Sequence, residues 1–339
     1  MKKTNLFILF LCGTLSLFVG GCTKDQDPMS NKQKYDIYVA GNNDGYATYW
    51  KNGAAFVNEN VKGDYFAIAV ENGDVYTLCN SGGKYSYYKN NETPVMLTGG
   101  TANSITVSNG NVYVTGYIPF TSSSGDRAVY WLNGVLNNLN AGGGIASQSY
   151  STSISDGNVY IAGYINYRYS GGNIISGAYS SAVYWKNGSL VTLTGGWGNN
   201  AQAHSIYVSG NDIHIAGFEQ ISGGVFVTYW ENGTPYTFND INTSDLSTCA
   251  SAIAVSANGD VHIVSDYYNF GYKYTYWKNG IETDLNIYKP QKRLRLAVAG
   301  NDVYITGGFS DGKYLKNGKL EDFTDTTGGV ALAITTVSH

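Results

Sequence analysis

The side chains able to do acid–base chemistry in this sequence are few and scattered. Outside its apolar runs stand Asp44, Asp126, Glu219, Asp240, Asp245, Asp266 and Asp311, mostly one to a segment. Glycoside hydrolysis normally needs two carboxylates facing one bond, so this spacing leaves any pairing to the fold, and each acid also reads as an ordinary solvated side chain. The histidines are His204, His214, His262 and His339. A zinc site would need several of them at one place, and their positions argue against a histidine cluster. No metal or cofactor motif is read.

Aromatic residues are the more telling set. Tyrosine and tryptophan stand side by side in AVYWKNG at Ala182, and again in ATYWKNG at Ala47, AVYWLNG at Ala128, VTYWENG at Val227 and YTYWKNG at Tyr274. A second group breaks that pattern: Tyr117 and Phe120 in YIPFTSSSGDR; Tyr164, Tyr167, Arg168, Tyr169 and Tyr179 in YINYRYSGGNIISGAYSS; Tyr267, Tyr268, Phe270 and Tyr272 in DYYNFGYK; and Trp197 in GGWGNN. Rings beside asparagine and serine suit a sugar, which offers an apolar C–H face and hydroxyls. Protein recognition uses the same anchors.

The elements that must position these residues follow from stacking the repeats. The clearest unit reads SITVSNGNVYVTGY from Ser104, a variable loop, then AVYWLNGVLNNLN. Apolar or alternating runs flank Asn-Gly, Asp-Gly or Gly-Asn pairs, the strongest short-range hairpin signal. Each unit is therefore four antiparallel strands, a to d. Further copies start at Asp36, Phe66, Ser151, Ser205, Ala252 and Leu294, which makes seven. Steps between equivalent glycines (Gly134, Gly188, Gly233, Gly280) are 54, 45 and 47 residues, near the roughly 40–50 of propeller blades.

The chain ends decide between a ring and a solenoid. The first copy, DIYVAG, has no strand a, while VALAITTVS, Val330 to Ser338, matches a strand a with nothing after it. A solenoid would cap its ends; a ring pairs the last strand with the first blade and removes the edges. The expected fold is an all-β, seven-bladed β-propeller of four-stranded antiparallel blades over 35–339, closed by the C-terminal strand.

Within that frame Trp50, Trp131, Trp185, Trp230 and Trp277 share one strand-c position, with Tyr88 and Leu315 in the other two blades. Neighbouring side chains on a strand point oppositely, so tyrosine and tryptophan face different adjacent blades as scaffold. His214 and His262 fall where Tyr38, Tyr76, Tyr113, Tyr160 and Tyr304 stand, and read as substituted scaffold. The a–b and c–d turns are short and near-constant, whereas the b–c and d–a loops vary, so function is expected on the variable face. Trp197 reads either as a lid over the core's end or as a stacking platform. Of four arginines, Arg127, Arg168, Arg293 and Arg295, two lie in neither b–c loop, which argues against a sialidase-like arginine trio.

The N-terminus reads as an export signal. Lys2 and Lys3 precede an apolar stretch from Leu6 to Val19, too short for a membrane span. Val19-Gly20-Gly21-Cys22 is similar to a bacterial lipobox, which implies removal of 1–21, lipid attachment at Cys22 and a stable membrane anchor. The polar segment 22–34 reads as a flexible tether. Cys79 and Cys249, in different repeats, are expected as two buried thiols. Losing Lys2 and Lys3 leaves 19 basic against 25 acidic residues, a net −6, which disfavours nucleic acid as a partner.

By its YWKNG-type units, lipobox and closing strand, the chain resembles propeller lipoproteins of Bacteroidota. Thr23-Lys24-Asp25-Gln26-Asp27 is similar to their surface-export signal. The resemblance implies the fold and a lipid-anchored place on the outer membrane, facing the exterior, and it transfers no catalytic residue. The expected function is a monomeric, non-catalytic binding module for a glycan or a surface protein. Its expected ligand residues are Trp197, Tyr117, Phe120, Tyr164, Tyr167, Arg168, Tyr169, Tyr267, Tyr268 and Phe270. The alternative is a glycoside hydrolase or lyase with carboxylates at the mouth of the axis.

Overall fold

The computed structural model describes residues 35–338 apart from 120–124, 172–173, 195–199, 222–223, 239–248, 269–271, 288–292, 308, 310–312 and 323–328; at 168–171, 174–178, 249, 267–268 and 272 it describes the backbone alone. One compact unit covers Lys34–His339.

Its local order starts at the turns. Asn187 and Gly188, at φ 50° and 80°, both occupy the left-handed region that a two-residue hairpin turn requires. Turn conformation explains only part of the asparagine. Asn187 Oδ1 accepts the backbone N–H of Val159 at 2.9 Å, and its Nδ2 donates to Asn158 Oδ1 at 2.8 Å. The c–d turn is thereby bolted to the start of strand b. The same two bonds recur at Asn52, Asn90, Asn133, Asn232, Asn279 and Asn317, once in every remaining blade. Lysine adds a third tie in four blades, where Lys51, Lys89, Lys278 and Lys316 reach Asp36, Asp74, Asp260 and Asp302 at 2.9, 2.7, 2.7 and 3.1 Å. The Lys278 and Asn279 bonds hold the Asp260 carboxyl well below the usual carboxylate range.

These hairpins assemble into seven four-stranded antiparallel sheets. In the first, the strand Val330–Ser338 pairs with Tyr35–Asn43, from Tyr35 opposite Ser338 to Asn42 opposite Val330. The C-terminal strand thus supplies the strand a that the first copy lacks. The fold is a seven-bladed β-propeller with the closure that the repeat count requires.

Packing between blades uses the aromatic pair as expected. Trp131 packs with Tyr76, Leu78 and Tyr87 of the preceding blade, while Tyr130 sits against Trp185 and Ile161 of the following one. Trp185 is fully buried, and its indole N–H donates to Asn140 O at 2.7 Å, so its one polar atom is satisfied inside the core. His214 and His262 are buried as well, each with Nδ1 at 2.6 and 2.7 Å from the hydroxyl of Tyr229 and Tyr276. Burial pushes both imidazoles below their ordinary pKa. They are scaffold histidines. Cys79 is a buried free thiol whose pKa burial pushes up to about 12.

Candidate functional site at the channel mouth

The innermost strands line an axial cavity of about 480 Å³, to which all seven blades contribute. Register sorts its wall into levels. Ile68, Ile105, Thr152, Ile206, Ile253, Leu296 and Ile334 occupy one equivalent position, and they make an apolar ring broken only by Thr152. One residue earlier stand Ala67, Ser104, Ser151, Ser205, Ala252 and Ala333, all small, and in the seventh blade Arg295. Arg295 is half-buried in a column that otherwise holds only alanine and serine.

Just before that column, six of the seven a–b ladders slip by one residue. The bulged residues are Phe66, Asn103, Tyr150, His204, Ser251 and Leu332. Bulges re-aim side chains and recur beside functional sites; here Asn103, Tyr150, His204 and Ser251 all line the cavity. In four of the six a glycine stands opposite the slip, and Cys79 and Ser265 take that place in the other two. A Cβ on Gly163 would lie 2.1 Å from Gln148 O and 2.9 Å from the Trp185 ring, and Gly41, Gly116 and Gly217 stand as close to the carbonyls of Val330, Thr101 and Gln202. This accounts for the glycine of the recurring TGY, AGY and AGF triplets.

The bulged side chains form a connected polar and aromatic rim. The rings of Tyr150 and His204 meet edge to face at 4.7 Å, and the Arg293 guanidinium lies over the Tyr150 ring at 5.8 Å. The Tyr150 hydroxyl donates to Gln148 Oε1 at 3.1 Å, and Gln148 Nε2 donates to Asp126 Oδ2 at 2.5 Å. His204 is 5% exposed, with Nε2 at 3.0 Å from Gln202 Oε1. No hydrogen-bond partner reaches its Nδ1 among the described residues. Burial first, then the Arg293 charge, push its pKa well below the ordinary value, opposed by a hydrogen bond to the Ala250 backbone, with the Arg295 charge a smaller lowering effect, so the ring is neutral near pH 7. A second cavity of about 290 Å³ adjoins the first, lined by Asp64, Phe66, Asn80, Tyr85 and Leu332, and shares Asn103, Arg293 and Arg295 with it.

Of the residues singled out from sequence, the structure brings two to this rim. Tyr117 lines the axial cavity, and Tyr164 sits with its ring 5.8 Å from Tyr150. Burial, helped by the Asp126 charge, pushes the Tyr164 hydroxyl up to about 12. Tyr167 instead stacks on Tyr179 at 5.5 Å, within the hairpin formed by Asn158–Gly171 and Ile174–Lys186. Arg168 and Tyr169 lie on that hairpin, and Tyr267 and Tyr268 on the strand Val261–Tyr268, with backbone alone described. Trp197, Phe120, Phe270 and Cys22 lie outside the described residues, as do Asp240, Asp245 and Asp311.

The remaining described acids do not themselves line the axial cavity, although Asp126 and Asp266 each bond a residue that does. Asp126 is held by Gln148, Asp266 accepts from the Ser251 hydroxyl, and Asp44 is exposed. Burial raises the Glu219 pKa, opposed by a bond from Thr194. Among the described residues, no group of three or more histidine, cysteine or acidic side chains is placed to hold a metal ion. Tyr150, His204, Arg293 and Arg295, the centre of the rim, are what sequence reasoning missed as a site. The signal for them was present: an arginine in a serine and alanine column, facing bulges marked by a recurring glycine.

No family model matches the chain, and no curated protein does. Solved structures that it is similar to include a puromycin hydrolase (TM-score 0.52, 13% identity, 86% of this chain and 52% of that one). A lectin of Aleuria aurantia matches at TM-score 0.44 and 12% identity over 79% of this chain and 94% of the lectin. The polysaccharide lyase Uly1 matches at TM-score 0.42 and 12% identity over 78% and 80%. The chain spans about half the length of the puromycin hydrolase. At 13% identity that likeness shows a shared propeller fold and nothing finer.

Proposed function

We propose that this protein is a surface-displayed, lipid-anchored binding module that takes a glycan at the channel mouth of its variable face. The observation that carries the reading is the ring of β-bulges. It converts one strand position in successive blades into Asn103, Tyr150, His204 and Ser251 around a cavity of about 480 Å³, a size within the range of small-ligand sites. Tyr117 and Tyr150 offer rings for the C–H face of a sugar, and Asn103, Gln148 and Ser251 offer donors and acceptors for its hydroxyls. Among the described residues the lining of this cavity is aromatic, amide and hydroxyl rather than a carboxylate pair, which supports binding over hydrolysis.

The test is a saccharide array probed with the mature chain and with Tyr150→Ala and Asn103→Ala. Binding to at least one class of glycan, weakened about tenfold or more in each variant at unchanged Tm, is the expected outcome. Capture of a surface protein with no saccharide bound would move the reading to protein recognition; shortening of a bound polysaccharide would move it to catalysis. Anchoring is tested separately. Metabolic labelling with a fatty acid should mark the wild type and not Cys22→Ser, and external protease should digest it on whole cells.

A further inference from the structure

The rim of the mouth is uneven, and its low side holds the second space. In the first two blades the b–c ladder closes five residues beyond Tyr38 and Tyr76, at the two-residue turns Asp44-Gly45 and Gly82-Gly83. The same ladder runs eleven residues beyond Tyr160 in the fourth blade and seven beyond His214 in the fifth. At about 3.3 Å per residue the fourth hairpin extends roughly 20 Å further than the second. The cavity of about 290 Å³ lies on the low side: Asp64, Phe66, Asn80 and Tyr85 of the second blade wall it, and it shares Asn103 with the axial cavity. Tyr85 is a residue that the scaffold does not ask for. Register places it where Ala47, Ala128, Ala182 and Val227 stand in other blades, all fully buried. The sixth blade has a tyrosine there too, but Tyr274 is buried, whereas Tyr85 is half-buried.

Resting on the glycan reading, we infer that the smaller cavity is a second saccharide subsite: the ligand is an oligosaccharide with one unit in the axial cavity and the next leaving over the second blade, against Phe66 and Tyr85. The two rings are set for this. Phe66, the bulged residue of its blade, meets Tyr85 edge to face at 5.9 Å, and both rings are half-buried against the core below them. Asn80 Nδ2 donates to the Tyr85 hydroxyl at 3.3 Å, while Asn80 Oδ1 accepts the N–H of Gly83 at 3.0 Å. The short turn that lowers the rim therefore also fixes the amide and, through it, the ring. Such a wall offers aromatic surface for the C–H face of a sugar unit, with Asn80, Asn103, Thr101 and the Tyr85 hydroxyl for its own hydroxyls. Asn103 stands on both walls, where the link between the two units would pass. A chain that turned towards the fourth or fifth blade would meet a longer hairpin instead.

Titration calorimetry with cello-, manno-, xylo-, galacto- and chito-oligosaccharides, each from one to four units, tests the second subsite. In a class that binds, affinity should rise about tenfold from one unit to two or three and then level off. Tyr85→Ala should remove most of that gain and Phe66→Leu about threefold of it, and the loss should appear only in ligands long enough to reach these rings. Tyr150→Ala should instead weaken every length by a similar factor. Alanine is native at the place of Tyr85 in three blades, and leucine is the bulged residue of the first blade at Leu332, so both variants should keep the wild-type Tm. Affinity that does not grow with length, or a gain with length that Tyr85→Ala and Phe66→Leu leave intact, overturns the second subsite and leaves the glycan reading standing. Failure of every class, together with an empty saccharide array, overturns both.

Discussion

The two faces of the ring are made by the same strands and are fixed in opposite ways. On one face every c–d turn carries an asparagine that bonds the backbone at the start of strand b, seven times over, with lysine–aspartate pairs beside it. On the other face the ladder slips in six blades, and the extra residue differs each time: Phe66, Asn103, Tyr150, His204, Ser251, Leu332. Repetition of one side chain marks a structural duty. Repetition of one backbone irregularity with changing side chains marks a shared platform for something the scaffold does not require.

The largest effect should come from the packing that both faces depend on. Trp185→Ala removes a fully buried indole and its bond to Asn140 O, which should cost about 3–5 kcal/mol. Urea unfolding would measure it, and ligand binding should fall in parallel as the blades loosen. Gly163→Ala comes next and acts on the bulged face. Its methyl has no room beside Gln148 O at 2.1 Å, so the slip at Tyr150 must relax, at about 1–3 kcal/mol for overpacking. Here saccharide binding should drop further than the stability loss explains, because Tyr150 moves with the bulge.

Asn187→Ala acts on the clamped face alone. It forfeits the Val159 and Asn158 bonds and places alanine at φ 50°, together about 2 kcal/mol. Saccharide affinity should not change. Asn187→Gly separates the two contributions, since glycine keeps the conformation and loses only the side-chain bonds; its Tm should fall between wild type and Asn187→Ala. A loss of binding in Asn187→Ala would mean that the two faces are coupled and the division between them is wrong.

Much of the scaffold was legible before any coordinates. Seven copies, the missing first strand a and the terminal VALAITTVS dictate the ring. Pattern reading also separated Trp185 from a binding role, because a side chain repeated in five blades answers to packing. The mouth was harder to read for two physical reasons. A bulge inserts a residue and reverses the in–out alternation on which strand reading depends, so alternation alone does not mark Tyr150 and His204 as cavity-lining. Function was also sought in the b–c loops above all, whereas Arg293 ends a d–a loop and Arg295 opens an inner strand, and Arg293 reaches the Tyr150 ring. The asparagine clamp was half legible: Asn-Gly announces the turn, but the bond from Val159 depends on a strand 28 residues earlier.

The smallest effect tests whether the clamped scaffold explains the histidines too. Burial depresses the pKa of both His214 and His262 in the folded protein. Below about pH 6.5 the unfolded chain takes up protons that these buried rings do not, so their contribution is full above that value and is lost as pH falls towards the folded pKa values. Five other blades place tyrosine here: Tyr38, Tyr76, Tyr113, Tyr160 and Tyr304. The double variant His214→Tyr, His262→Tyr should therefore fold, and its Tm loss between pH 7.5 and 5.5 should be smaller than the wild type's by about 2–4 °C. His204 stays in place in both proteins, so any acid sensitivity that remains in the variant, and that a saturating saccharide suppresses, belongs to the mouth rather than to the scaffold.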